Sequence, residues 1–225
     1  MNRGMVIFLG ALLTFTSSWL GLVIVPLLPV KIFGFDNPLA GQRVMHQEPY
    51  VEDQGGTTTS YPRPLGGEAL RGKEIYQNLG CMYCHSQQIR AETFGNNADI
   101  QRGWATRRTV PRDYIHDRPV MLGTMRTGPD LANIGVRGYY ADWHHKHLYN
   151  PRMMVPGSIM PPFKYLYEKR KFVGEPSPDA LIFTGDWQAE SEPGYEFVPT
   201  SDAKALVAYL LSLDRTTVPL PEAKE

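Results

Sequence analysis

The chain has 225 residues, 23 basic and 23 acidic side chains and a pI near 7.0. Balanced charge argues against nucleic acid as a partner, and the length suits one modest domain plus an anchor. Its 21 glycines and 19 prolines point to long loops, and there are only two cysteines to support a disulfide or thiol chemistry.

The first expected element is a membrane anchor over residues 1–33. No charge falls between Gly4 and Val30. Gly4 to Val25 would give about 33 Å of helix, enough for a hydrocarbon core of about 30 Å. Pro26 and Pro29 are expected to end the helix, and Arg3, Trp19 and Lys31 suit the membrane interfaces. A cleaved signal peptide would have a shorter apolar region ending in a small-x-small site. Val23 to Val30 is bulky and proline-rich instead, so the anchor is expected to stay.

Residues 34–65 are polar and rich in Gly, Pro and Thr, and read as a linker; His46 there is expected to be solvated. The spacing of Ala69, Gly72, Tyr76 and Leu79 predicts a helix over 66–79, with Glu68 complementing the dipole at its start.

That helix leads into Cys81-Met82-Tyr83-Cys84-His85, where both cysteines lie. This spacing is the attachment signature of a c-type haem: two thiols for thioether bonds, and an adjacent imidazole for the iron. A structural zinc site wants about four ligands. A disulfide between such close cysteines would staple almost nothing. A redox dithiol usually sits in a βαβ pattern, which is absent around this motif. One covalently attached haem c per chain is therefore expected, held by Cys81 and Cys84 with His85 on the metal.

Residues 91–125 lack clear periodicity. Gly128-Pro129-Asp130-Leu131 reads as a crevice element. A carbonyl such as that of Pro129 can accept the Nδ1–H of His85 and fix its tautomer, and Leu131 can close over the haem edge. Arg126 either pairs with a haem propionate or is solvated. Short helices are predicted over 129–135 and 138–150, the second stopped by Pro151.

The second iron ligand should be Met or His. Met160 is the best placed, because Pro156, Pro161 and Pro162 stiffen its loop. A thioether raises the reduction potential relative to a second histidine. His144 and His147 are the other candidates, and Met153 and Met154 read as packing residues. Residues 175–202 carry seven acids and no Lys or Arg, and read as a surface loop able to steer a basic donor. Leu206, Tyr209, Leu210 and Leu213 predict a last helix over 202–214 with Ser201 as its N-cap. The fold class is mostly α: one transmembrane helix plus a cytochrome c-like haem domain over 66–215 with long irregular loops, then a tail over 216–225. If the two terminal helices cross, Gly72 permits close approach and Tyr76 packs on Tyr209.

Several longer runs carry a resemblance. They are Gly80-Cys81-Met82-Tyr83-Cys84-His85-Ser86-Gln87-Gln88-Ile89-Arg90, Arg126-Thr127-Gly128-Pro129-Asp130-Leu131, His147-Leu148-Tyr149-Asn150-Pro151-Arg152, Ser158-Ile159-Met160-Pro161 and 202–210. With them the chain resembles the monohaem cytochrome c subunit, subunit II, of cbb(3)-type cytochrome c oxidases, which are C-family haem–copper oxygen reductases. The resemblance implies a non-catalytic electron-transfer subunit of an oxidoreductase complex. It would receive electrons from a dihaem cytochrome c subunit and pass them to the large catalytic haem–copper subunit. It implies His85 and Met160 on the iron and an anchor packed against the catalytic subunit. Haem attachment outside the bacterial cytoplasm puts the haem domain in the periplasm, on a single-pass inner-membrane anchor. The run 117–125 departs from the family pattern, so the partner-facing surface is expected to differ. A free-standing anchored cytochrome, the haem c subunit of a nitric oxide reductase and a haem-free module with a thiol pair stay open as alternatives.

Overall fold

A computed structural model of the chain describes residues 2–24, 50–54, 57–94 and 98–220. The described chain is mostly helical and divides into two units, Met1–Glu48 and Pro49–Glu225.

In the first unit, helix α1 spans Arg3–Trp19 and continues as a π-helical turn over Leu20–Ile24. These 22 residues contain an 18-residue window with a mean hydropathy of 1.9, and the helix is long and apolar enough to cross a membrane. Asn2 caps the start, its side chain accepting from the Gly4 N–H at 3.1 Å. Thr14 and Ser17 return their hydroxyls to carbonyls one turn back, which a lipid-facing helix requires because lipid offers no hydrogen bonds. Pro26, Pro29, Lys31 and His46 lie outside the described residues.

The second unit begins with strands β1 (Tyr50–Gln54) and β2 (Thr57–Tyr61), paired antiparallel. The stretch expected to be linker through residue 65 is therefore partly strand. Alternation is weak there, but Thr and Tyr favour extended backbone. Helix α2 (Gly67–Asn78) follows, then short α3 (Ala98–Gln101), α4 (Ala141–Tyr149), strand β3 (Tyr167–Lys171), strand β4 (Tyr195–Pro199) and helix α5 (Ser201–Ser212). The expected helix at 129–135 is only a 3₁₀ turn over Ile134–Val136.

The core is built on α2 against α5. A Cβ built on Gly72 would lie 1.9 Å from the Ala205 carbonyl oxygen, so the two backbones touch where only glycine fits. Tyr76 meets Tyr209 edge-on at 5.4 Å, and both rings are buried. The expected stripe of Leu206, Tyr209, Leu210 and Leu213 faces this core. The cap of α5 is Thr200 rather than Ser201: its backbone is extended, and its hydroxyl accepts from the Ala203 N–H.

Two expectations are corrected. The acidic segment is a surface loop only in part, being largely exposed over 175–194. It supplies β4, pairs with β3, and places Leu181, Phe183 and Val198 in the interior. Five of its seven acids meet bases of this chain, in Asp179–Lys204, Glu190–Lys164, Glu192–Lys169, Glu196–Arg170 and Asp202–Arg71. That local pairing weakens any field it could offer a basic donor. Nor do residues 216–220 form a tail: Thr216 and Leu220 are buried, and Asn133 holds Thr216 by side chain and backbone.

Candidate haem-binding site

Helix α2 stops because Gly80 adopts a left-handed conformation, φ +73, which L side chains disfavour. The chain then turns through a 3₁₀ turn, Cys81–Tyr83, closed by Cys84 N–H and His85 N–H donating to the Cys81 carbonyl at 3.2 and 3.0 Å. Both cysteines are free thiols; Cys81 is half-buried against the core and Cys84 is exposed. Burial pushes the Cys81 thiol up to about 11.

A second segment is laced to this turn. Thr124 N–H donates to Met82 O (3.2 Å), Gly128 N–H to Cys84 O (2.9 Å) and Leu131 N–H to Ser86 O (2.8 Å), while Gln87 N–H donates to Leu122 O (2.9 Å). The lacing requires two close approaches. A Cβ on Gly123 would lie 2.4 Å from the His85 carbonyl oxygen, and Gly123 also has φ +82. A Cβ on Gly128 would collide with the His85 ring itself.

The consequence is a fixed imidazole. His85 Nδ1 lies 2.7 Å from Pro129 O, which assigns the proton to Nδ1 and leaves the Nε2 lone pair for a metal. Burial lowers the His85 pKa from its ordinary value, opposed by the Pro129 carbonyl and the Asp130 charge. The ring is thus a neutral donor at pH 7.

Cys81, Met82, Leu131, Met160 and Phe163 are each partly buried against the margin of the core, as is Met153. The Met160 loop is tied down at several points. Ser158 N–H donates to Val155 O at 3.1 Å, Met160 N–H to Ser158 Oγ at 3.3 Å, and Phe163 N–H to Leu148 O at the end of α4 at 2.8 Å. These residues fit a c-type haem: two free thiols on one turn, an imidazole with one nitrogen already satisfied, and an apolar margin carrying a soft thioether.

Arg126 is engaged within the protein. Its guanidinium donates to Asp99 at 2.7 and 2.9 Å and to Gln88 O at 2.5 Å, and its Nε donates to Ser86 Oγ at 2.7 Å. Asp99 and Asp130, both buried, hold the guanidinium in these bonds, and the side chain keeps 20% of its surface exposed. The i, i+4 spacing of Arg126 and Asp130 was the available signal for that.

Helix α4 supplies the two alternative donors. His147 stacks on Trp143 at 4.7 Å, and Trp143 stacks on Tyr139 at 4.2 Å. Burial, with His85 close enough to contribute, pushes His147 down to about 4. His147 Nδ1 and His144 Nε2 are buried with no hydrogen-bond partner among the described residues.

No curated protein matches the chain. A family model described as cytochrome c oxidase, mono-heme subunit/FixO matches residues 49–181, which include the haem motif, the Pro129 segment and the Met160 loop. With more than half of its length under that match, the chain belongs to the family of mono-haem subunits of cytochrome c oxidase.

Proposed function

We propose that this protein is the membrane-anchored electron carrier of its oxidase complex, holding one haem c through Cys81 and Cys84. Its electrons come from a dihaem cytochrome c subunit and leave to the large haem–copper subunit. The observation that carries this reading is the 2.7 Å contact of His85 Nδ1 with Pro129 O, beside two free thiols on the same turn. Bound there, the haem supplies a one-electron couple.

The residues account for the rest of the task. Pro129 keeps Nε2 of His85 aimed and basic. Gly123 and Gly128 let the backbone close around that ring. Met160 on its tied loop would give the iron a second protein donor, a soft neutral thioether. Cys84 is exposed, so a group bonded to it would be reachable from the surface. Tyr83, Met125, Ile159 and Tyr165 are each more than half exposed and belong to the segments that form the site. Such an apolar rim suits a protein partner. The 22-residue apolar helix supports an inner-membrane anchor, and covalent haem attachment supports a periplasmic haem domain.

The test is the full chain made with haem-attachment machinery and extracted in mild detergent. A pyridine haemochrome spectrum should show one covalent c-type haem per chain. A multi-helix subunit carrying b-type haem should co-purify. Colourless protein whose two thiols both alkylate would overturn the haem reading. A stable lone haem protein would turn it toward a tethered shuttle.

A further inference from the structure

Asp130 is fully buried next to Pro129, and its carboxylate gathers both sides of the imidazole mount. Oδ2 accepts from Ser86 Oγ at 2.6 Å, from Gln88 N–H at 2.8 Å and from Arg126 Nη2 at 3.4 Å. Oδ1 accepts from Ala132 N–H at 2.8 Å. Ser86 and Gln88 follow His85 directly, while Ala132 follows the Pro129 segment. One side chain therefore bolts the strip that carries the imidazole to the strip that carries its carbonyl acceptor. Arg126 braces the bolt from outside through Ser86 and Asp99, and Arg137 donates to the Asp130 carbonyl at 2.7 Å.

Only donors meet the two oxygens, the pattern of an ionised carboxylate. A buried negative charge acts over distance with little screening; Arg126 at 3.4 Å offsets part of it, and Asp130 adjoins Pro129, whose carbonyl lies 2.7 Å from His85 Nδ1. Negative charge near an iron centre favours the oxidised state. A firm Nδ1–H···O bond makes the imidazole a stronger donor and acts in the same direction.

We propose that Asp130 is a positioning residue of the haem site, holding the His85–Pro129 hydrogen bond rigid and setting the iron's reduction potential lower than a neutral residue there would. This rests on the haem reading above. Two properties of one side chain, its hydrogen bonds and its charge, should separate in two variants.

The experiment uses the haem-loaded full chain in detergent. Asp130→Asn keeps the shape and removes the charge. Its midpoint potential should rise by at least a tenfold change in electron partition, about 59 mV for one electron. Ser86→Ala keeps the charge and removes one strut. In the reduced protein its His85 Nδ1 proton, followed by NMR, should exchange with solvent at least tenfold faster, while the potential moves less than in Asp130→Asn. A haem-loaded Asp130→Asn with unchanged potential overturns the proposal, as does Ser86→Ala with unchanged exchange. Should Asp130→Asn not fold, the Ser86→Ala exchange rate decides alone. Absence of covalent haem in the unmodified chain is a different failure and refutes the underlying haem reading instead.

Discussion

The methyl group that alanine would add at Gly128 lies 2.3 Å from Cε1 of His85 and 2.7 Å from its Nδ1. The imidazole and the backbone of residue 128 therefore occupy adjoining space with nothing between them. Gly128→Ala must move the ring or the strip, and either motion lengthens the bond to Pro129. Overpacking of this kind costs ~1–3 kcal/mol. The expected outcome is a lower ratio of covalent haem to protein, read from absorbance, and a lower denaturation midpoint in the chains that do carry haem. Full haem loading at an unchanged midpoint would mean that the ring has room the geometry denies it.

Met160→Ala should leave haem attached, because the thioethers are elsewhere. If Met160 ligates the iron as proposed, the variant should lower the reduction potential through loss of a soft neutral donor and let added cyanide or imidazole bind the iron. Titration with those ligands and a potentiometric curve measure both effects. If His147 held the position instead, neither readout would change in Met160→Ala and both would change in His147→Phe.

Asp117 joins two buried cations. It receives Lys73 Nζ at 3.0 Å and Arg215 Nη2 at 2.6 Å, and all three side chains are nearly excluded from solvent. Lys73 is on α2 and Arg215 follows α5, so the carboxylate ties the ends of the chain's main contact. Asp117→Ala leaves two positive charges without their counter-charge, which costs roughly 3–5 kcal/mol. Urea denaturation of the haem-loaded protein should show that loss; a change under 1 kcal/mol would mean that water reaches the pair.

Acid should destabilise the fold partly through His144. Burial, with His147 and His145 adding to it, pushes its pKa from 6.5 to about 4. The folded pKa is depressed, so the neutral ring's contribution is complete above pH 6.5. It fades as pH falls toward 4, by roughly 3 kcal/mol at most. His144→Phe should flatten the stability profile across that window. An unchanged slope between pH 6.5 and 4 would assign the acid sensitivity to other groups.

Local chemistry alone made much of this protein legible. The unbroken apolar run, the Cys81–His85 spacing, the helical stripes of α2 and α5 and the proline-framed Met160 are short-range patterns, and each constrains its own segment. The acceptor role of Pro129 was also readable, because a carbonyl beside that motif has one obvious donor to meet. The errors fell where distant segments decide. Leu181 and Phe183 sit in an acidic stretch with no periodicity, yet Leu181 N–H donates to Phe197 O of β4 and Phe183 packs on Tyr149 and Phe197, which turns both inward. Thr216 looked like tail until Asn133, 83 positions away, supplied its hydrogen bonds.

The sequence by itself determined that two thiols and an imidazole lie together, since at fixed spacing on one turn they need no tertiary help to be adjacent. It also determined a 22-residue helix long and apolar enough to cross a membrane, because that is a property of composition. Only the tertiary structure decided how the imidazole is mounted. Gly128, Pro129 and Asp130 come within reach of His85 and Ser86 through contacts spanning more than forty residues. Buried carboxylates such as Asp99 and Asp117 take the opposite charges the fold brings to them, Arg126 for the one and Lys73 with Arg215 for the other, and spacing along the chain does not say which those are.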